Sequence, residues 1–377
     1  MNSYSINDII TIINEIDIKQ NTPLTYVNET LREYTHNIKL EINPLLDLWE
    51  KNKKYSNPYE FINTSYDTNN MAVCTYKPIS RAFFKMIEIL HNYNFSFNET
   101  IKTFHLAEGP GGFIEAIKYI RNNDNDMYYG MTLMEGDKFV PKWDKSTYFL
   151  NKSPNVIIEK GIDMTGNLYN IENLEYVYKK YKHSMDFITG DGGFDFSIDF
   201  NKQEENSLNL IVAEIFFAII LQKKGGSFVL KVFDTFSSLS IQVLYLLCYL
   251  YENVYITKPL PSRPANSERY IVCINFKMVS NIDKLIQNIF NKFYLIKQTN
   301  ITSIINNEIS NSFLEKIKEV NAIFGQSQIE NIMNILTFIQ DKNKNEKQEL
   351  LKKSYLNKCV KWCKKYTLPI NDNYLCN

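Results

Sequence analysis

The sequence predicts an α/β fold, an open and mostly parallel sheet with helices on its faces. Two observations carry this. From Tyr76 to Lys277, short apolar runs of strand length alternate with longer runs of helical period. The first strand of that series runs into a glycine-rich turn, Glu108-Gly109-Pro110-Gly111-Gly112, which opens a helix. Sheets of this kind bind ligands at the carboxyl ends of their strands.

The elements follow in order. Residues 1–75 read as mostly helical, with Ile9, Ile12, Ile13 and Ile16 spaced by three and four and breaks at Pro44 and Pro58. Ser80–Tyr93 is an amphipathic helix, Thr103–Ala107 a short strand, and Phe113–Arg121 the helix after the glycine turn. Met127–Leu133, Asn155–Glu159 and Met185–Thr189 continue the strands. Ser207–Lys223 and Ser237–Tyr251 are helices on either side of the strand Ser227–Phe233, and Asn253–Thr257 with Arg269–Phe276 closes the sheet. After Lys277 the chain reads as helical and rich in Asn and Lys, with a polar run at Lys342–Lys347. In Lys358–Lys365, Lys, Cys and Trp recur at helical spacing, which suits either a helix packed on the core or a basic face for RNA. The expected division is a helical N-terminal extension (1–75), an α/β domain (76–280) and a helical C-terminal extension (281–377).

Composition narrows the function classes. Lys plus Arg and Asp plus Glu both number 42, so the chain is no polycation, and nucleic-acid binding would need a local basic groove. The 25 Tyr and 24 Phe accompany heavy Asn, Ile and Lys usage, as in an AT-rich genome, so single aromatics say little about base stacking. The six cysteines make no CxxC pair and only four histidines are present, which argues against a metal site and for reduced thiols. Met1–Ser5 lacks the layout of a secretory leader. Leu208–Leu221 is very apolar but contains Glu214 and is shorter than a membrane span, so it reads as a buried helix. No membrane association is expected.

Three glycines in the turn let the backbone come close to a ligand over the helix N-terminus. Acids at the next strand ends would bind ribose hydroxyls or an adenine amino group. Glu135 follows the second strand and Asp163 the third, and Asp163 ends its strand more cleanly. Four further residues stand where chemistry could occur: Lys85 in the first helix, Asp191 at a strand end, Lys231 closing the apolar run Ser227–Leu230, and Glu268 opening the last strand. An in-line attack by a hydroxyl on a sulfonium carbon needs its proton polarised or removed, and two lysines oriented by two acids can do this. A lysine serving as base near pH 7–8 needs its pKa lowered by about 2–3 units. The apolar strand end and the charge of Lys85 would supply much of that for Lys231, while Asp191 and Glu268 would pull the other way and act mainly as orienting partners.

Four segments, SRAFFKMIEIL, LAEGPGGFIEAI, GSFVLKVF and SRPANSERYIV, resemble the FtsJ/RrmJ-type family of RNA 2′-O-methyltransferases. The resemblance spans roughly Tyr76–Lys277. It implies a Rossmann-like methyltransferase fold with a mostly parallel seven-stranded sheet, and S-adenosyl-L-methionine as cofactor. The family's K-D-K-E tetrad falls on Lys85, Asp191, Lys231 and Glu268. The cofactor site falls on Glu108, Gly109, Pro110, Gly111, Gly112 and Phe113, with Thr132, Leu133, Glu135, Asp163 and Asp191. SRPANSERY and the strand Tyr129–Leu133 look most like the cap-specific enzymes of eukaryotes and large DNA viruses. That implies capped mRNA as substrate, association with other capping or transcription proteins, and a cytoplasmic, virion or nuclear location. Two departures stand out: Glu108 replaces a small or other polar residue, and Asp191-Gly192-Gly193 lacks a proline-containing turn. The alternatives are a catalytically idle RNA-binding subunit and a methyltransferase of ribosomal or other RNA. An NAD-type oxidoreductase would want GxGxxG, which the turn does not provide.

Overall fold

The computed structural model describes residues 2–20, 22–65, 71–134, 142–193, 200–298, 300–341 and 344–374. In chain order its strands are β1 (Asn2–Ser5), β2 (Lys19–Gln20), β3 (Lys102–Leu106), β4 (Met127–Met131), β5 (Val156–Ile158), β6 (Met185–Gly190), β7 (Gln222–Val232), β8 (Tyr251–Lys258), β9 (Arg269–Phe276) and β10 (Ile301–Ser303). Eight of them form one sheet in the order β1-β8-β9-β7-β6-β3-β4-β5, and β2 pairs with β10. From β7 to β5 all neighbours are parallel, while β9 runs against β7 and β8, and β1 runs against β8.

The helices are α1 (Glu29–Leu40), α2 (Leu46–Asn52), α3 (Ala82–Asn92), α4 (Gly112–Arg121), α5 (Thr147–Lys152), α6 (Ile171–Tyr181), α7 (Gln203–Leu221), α8 (Ser238–Leu250), α9 (Ile282–Lys292), α10 (Leu295–Gln298), α11 (Asn311–Gln340) and α12 (Lys344–Lys365). They cover both faces. On β7 and β9 the side chains alternate: Val229, Tyr270 and Val272 pack with α3, α4 and α12, whereas Phe228, Leu230, Ile271 and Cys273 pack with α6, α7 and α8. Lys231 falls on the α3 side by the same period of two. α7 is buried almost throughout Ser207–Leu221, Glu214 included. No described helix is long and apolar enough to cross a membrane.

The chain builds β3, β4 and β5 outward, then returns to the other side of β3 for β6 and β7. The strand order therefore reverses between β3 and β6, where a crevice opens at their carboxyl ends. The Asp191 N–H donates to the Leu106 carbonyl at 3.2 Å, tying those two ends together.

The structure corrects three expectations. The sheet has eight strands rather than seven, because β1 adds to the β8 edge. Its sequence, Asn-Ser-Tyr-Ser, is almost wholly exposed and so carries no apolar alternation to read. The isoleucines near the N-terminus do not form a helix. Residues 6–18 are an irregular strap with Ile13 and Ile16 buried and Ile9 and Ile12 exposed. Its hydrogen-bonding groups are taken by other elements: Tyr245 accepts from the Thr11 N–H and Asn281 donates to the Ile13 carbonyl. The helix expected to reach Lys223 stops at Leu221, and Gln222–Lys223 already belong to β7. In α12, Cys359, Trp362 and Cys363 are buried, Trp362 edge-on to Phe84, while Lys358, Lys361 and Lys364 face solvent.

The extensions are welded to the sheet by a buried charge cluster. Asp234, just beyond β7, pairs with Lys39 of α1 at 2.9 Å and with Arg269 of β9 at 3.3 Å. Asn321 of α11 accepts from Arg269 at 3.1 Å and donates to the Thr235 carbonyl at 2.7 Å. Burial raises the Asp234 pKa, but the two cations outweigh it and hold the carboxyl low. Removing the anion strands two buried cations, so Asp234→Ala should cost about 3–5 kcal/mol. Chemical denaturation checks this, and a loss under 1 kcal/mol would show that the cluster braces nothing.

Candidate active site

The carboxyl ends of β6 and β7 bring together the four residues singled out in sequence. Asp191 follows β6 directly and Lys231 is the next-to-last residue of β7. Lys85 lies one turn into α3, and Glu268 immediately precedes β9. They meet as two ion pairs. Lys231 Nζ stands 3.0 Å from Asp191 Oδ1 and donates to the Asp191 carbonyl at 2.7 Å. Lys85 Nζ lies 2.7 and 2.9 Å from the two Glu268 oxygens. All four side chains are 13–20% exposed, open enough to be reached and closed enough for their charges to be felt.

The supporting shell explains why the backbone takes this shape. Gly193 passes over the tip of Lys231, where a Cβ would lie 3.1 Å from Nζ, and a Cβ on Gly192 would lie 2.7 Å from Glu214 Oε1. The loop after Asp191 is therefore built of glycine because it threads between a lysine and a buried acid. On the other side, Ser262 donates to Glu268 Oε1 at 2.8 Å. Lys258 donates to the Glu268 carbonyl and to both oxygens of Asn266, each at 2.7 Å, fixing the loop that presents Glu268. Burial pulls the Lys258 pKa down to about 7, with the charges of Arg269 and Lys85 adding to it and Glu268 opposing.

In the glycine turn Gly111 has φ +102°, a conformation that side chains disfavour. Gly112 abuts Ser80, whose Oγ would lie 2.2 Å from an added Cβ. Glu108 turns inward, and its Oε1 accepts from the Phe113 N–H at 2.6 Å, capping α4. The Thr132 carbonyl packs on Gly166, and the Met134 N–H donates to the Thr165 carbonyl, so the end of β4 lies beside the Asp163 turn. Asp163 is exposed, with its carboxylate held by Thr165 and Asn170 of its own turn. Glu135 lies outside the described residues.

Residues 78–276 match the model of the FtsJ-like methyltransferase family. The chain belongs to that family. It is 39% identical over 174 residues to a cap-specific mRNA (nucleoside-2′-O-)-methyltransferase 1 of Leishmania braziliensis, covering 45% of this chain and 42% of that protein. It is 28% identical over 228 residues to a cap-specific mRNA (nucleoside-2′-O-)-methyltransferase 2 of Drosophila melanogaster, covering 57% and 32%. A methyltransferase assigned as probable in African swine fever virus is 28% identical over 254 residues, covering 62% and 58%. The chain thus spans between about a third and three fifths of these relatives' length.

Within this FtsJ-like methyltransferase the electrostatics differ from the sequence expectation at one point. Burial pulls the Lys231 pKa down, but Asp191, Glu268 and Glu214 outweigh it, and the ammonium ends above its ordinary range. Lys85 does not repel it effectively because Glu268 already neutralises Lys85. Glu268 is held at about 2: burial opposes this, while Lys85, Lys231 and Lys258 enforce it. Sequence reading also missed Glu214 as part of the site, along with Lys258, Ser262 and Trp143. The signal for Glu214 was a lone acid inside an apolar helix. Trp143 stacks over Gly111 and Gly130 and gave no signal of its own.

Glu214 is fully buried, its Oε1 accepts from the Gly192 N–H at 2.9 Å, and burial pushes its pKa up to about 8. A raised pKa stabilises the fold most at low pH and loses that contribution as pH climbs from the ordinary carboxyl range toward 8. Glu214→Gln should therefore melt higher than the wild type at pH 8, and the gain should vanish near pH 4. At pH 7 the ionisation cost removed is on the order of 3 kcal/mol. Melting curves across that range decide it, and a gain independent of pH would contradict the assignment.

Proposed function

We propose that the chain transfers the methyl group of S-adenosylmethionine to the ribose 2′-hydroxyl of a cap-proximal nucleotide of RNA. The observation that carries the reading is the convergence of two lysine–carboxylate pairs at the strand ends beside the glycine turn. The turn fits the cofactor. Gly111 and Gly112 let it lie close against Trp143 and Ser80, and the buried Glu108 Oε2 and Trp143 Nε1 have no hydrogen-bond partner in the described structure. Glu108–Phe113, Thr132, Leu133, Asp163 and Asp191 are the residues that would hold it. When bound, it supplies a methyl group on a positively charged sulfur.

The chain's own part is orientation and proton handling. Lys231 has three N–H donors and gives two to Asp191. The third can hold the hydroxyl oxygen, with Asp191 fixing the ammonium's direction. Lys85 and Glu268 close the opposite wall and keep their charges paired, so the field at Lys231 is set mainly by Asp191. Lys231 can take the hydroxyl's proton only after its ammonium has first lost one of its own to solvent, which a weakening of the negative field around it favours.

A trough beside Glu268 supports a capped 5′ end as substrate. A cavity of about 160 Å³ is lined by Trp49, Glu50, Lys53, Arg263 and Asn266, among others. It adjoins a second of about 420 Å³ that carries Arg32, His36, Lys39 and Lys202. A methylated guanine is cationic and suits the exposed Glu50 carboxylate, and the exposed Lys202 suits a phosphate.

Lys231→Ala should lower methyl transfer to capped RNA by about 10²–10⁴-fold while leaving cofactor affinity within about twofold. Lys231→Arg should be nearly as inactive, since a guanidinium is larger than the space under Gly193 and does not give up its proton. Single-turnover rates and cofactor titrations test both variants, and an arginine variant that kept most of the rate would make Lys231 an electrostatic anchor only. Glu50→Ala should raise KM for capped RNA severalfold and leave turnover of uncapped RNA unchanged. Equal effects on the two substrates would remove the trough from the capped-end assignment.

A further inference from the structure

Beyond the four tetrad residues, two carboxyls of the site have no counter-ion of their own among the described residues. Asp191 and Glu268 are matched one to one by Lys231 and Lys85. Glu108, 2% exposed, and Glu214, fully buried, approach the same crevice from the glycine turn and from α7. Each uses one oxygen to accept a backbone N–H, from Phe113 and Gly192 respectively. Each leaves the other oxygen buried with no hydrogen-bond partner in the described structure.

We infer that Glu108 and Glu214 form a proton reserve that empties when a positively charged methyl donor enters the site and stays filled when its neutral thioether product is bound. The inference rests on S-adenosylmethionine being the donor. An unpartnered carboxylate oxygen in a dry site is costly, so the acid form is favoured while the site lacks a cation. A sulfonium centre nearby reverses that preference, and one carboxylic acid then ionises and loses its proton to solvent. Donor and product share the same amino acid and nucleoside groups and differ by the methyl group and its charge. A charge-sensitive pair is therefore a means of preferring one to the other.

The groups facing each carboxyl agree with this. Glu108 is faced by Asp191 from β6, Lys231 from β7 and the Tyr270 phenol from β9, while α4 contributes only the N–H groups of Phe113 and Ile114. Glu214 is faced by Lys231, Asp191 and the Tyr169 phenol, with the Gly192 N–H. Among the described residues the cation common to both is Lys231, already engaged by Asp191. Burial is the main reason both carboxyls sit above their ordinary range, and the negative charge of Asp191 adds to it. Emptying the reserve also has a consequence for Lys231: its field is then set jointly by the new cation and by the carboxylates around it.

The test is calorimetric proton counting on the full chain at pH 7, in phosphate and in Tris, with S-adenosylmethionine and with S-adenosylhomocysteine. The donor should release about one proton more than the product. Between pH 6 and 8 its affinity relative to the product should rise by up to about tenfold per pH unit. The amino group common to both ligands cancels in the comparison. In Glu108→Gln/Glu214→Gln the proton difference should disappear and the affinity ratio should become flat with pH. Equal proton counts for the two ligands in the wild type, or an unchanged difference in the double variant, would overturn the reserve while leaving the donor assignment intact. Failure of the wild type to bind either ligand would overturn the donor assignment and the reserve together.

Discussion

A lysine at the end of a buried strand has to be paired, and much of the crevice follows from how Lys231 is paired. β7 delivers its ammonium to the carboxyl edge of the sheet, where Asp191 takes it by both side-chain and backbone oxygen. Asp191 is itself pinned to the end of β3 through its N–H. One short segment therefore links the candidate proton-handling lysine to the glycine turn. The loop that follows can pass over the lysine only as Gly192-Gly193, with Glu214 buried beneath it. Lys85 and Glu268 add the second pair from the other wall.

The parts of the chain outside the family match hold this arrangement from behind. Glu60, 2% exposed, takes Arg81 bidentately at 2.7 and 2.8 Å and also accepts from Arg263 at 2.6 Å. Arg81 lies one turn before Lys85 and Arg263 lies in the loop before Glu268, so a single carboxylate in the N-terminal segment fixes the approach to both. The Lys39–Asp234–Arg269 cluster does the same for the residues after Lys231 and Glu268. The trough beside this cluster is lined by Arg263, Asn266 and Ser267, the residues that lead into Glu268.

What could be read in the sequence, and what could not, divides along physical lines. Strands β3 to β9 were visible as short apolar runs, most fully buried in β6, β7 and β9, and Asp191, Lys231 and Glu268 stood out as charges at strand ends. β1 was hidden because an edge strand with exposed side chains carries no pattern. The strap at residues 6–18 was misread because isoleucines spaced by three and four can be buried by an irregular chain whose hydrogen bonds go elsewhere. Glu214 was read correctly as buried, yet nothing in a linear sequence says that it lies under Asp191. The direction of the Lys231 shift was misjudged for a similar reason. It depends on Lys85 being already neutralised by Glu268, and that pairing spans 183 positions.

The central claim is that this geometry methylates a ribose oxygen near the 5′ end of RNA, and the position of the transferred methyl group tests it most directly. The chain is incubated with capped RNA and cofactor labelled in the methyl group, the RNA is digested with a nuclease that requires a free 2′-hydroxyl, and the fragments are weighed by mass spectrometry. The account predicts one label per molecule, on the ribose of a cap-proximal nucleotide, in a dinucleotide that resists cleavage. Label on a base, or spread over internal nucleotides whether or not a cap is present, would contradict it.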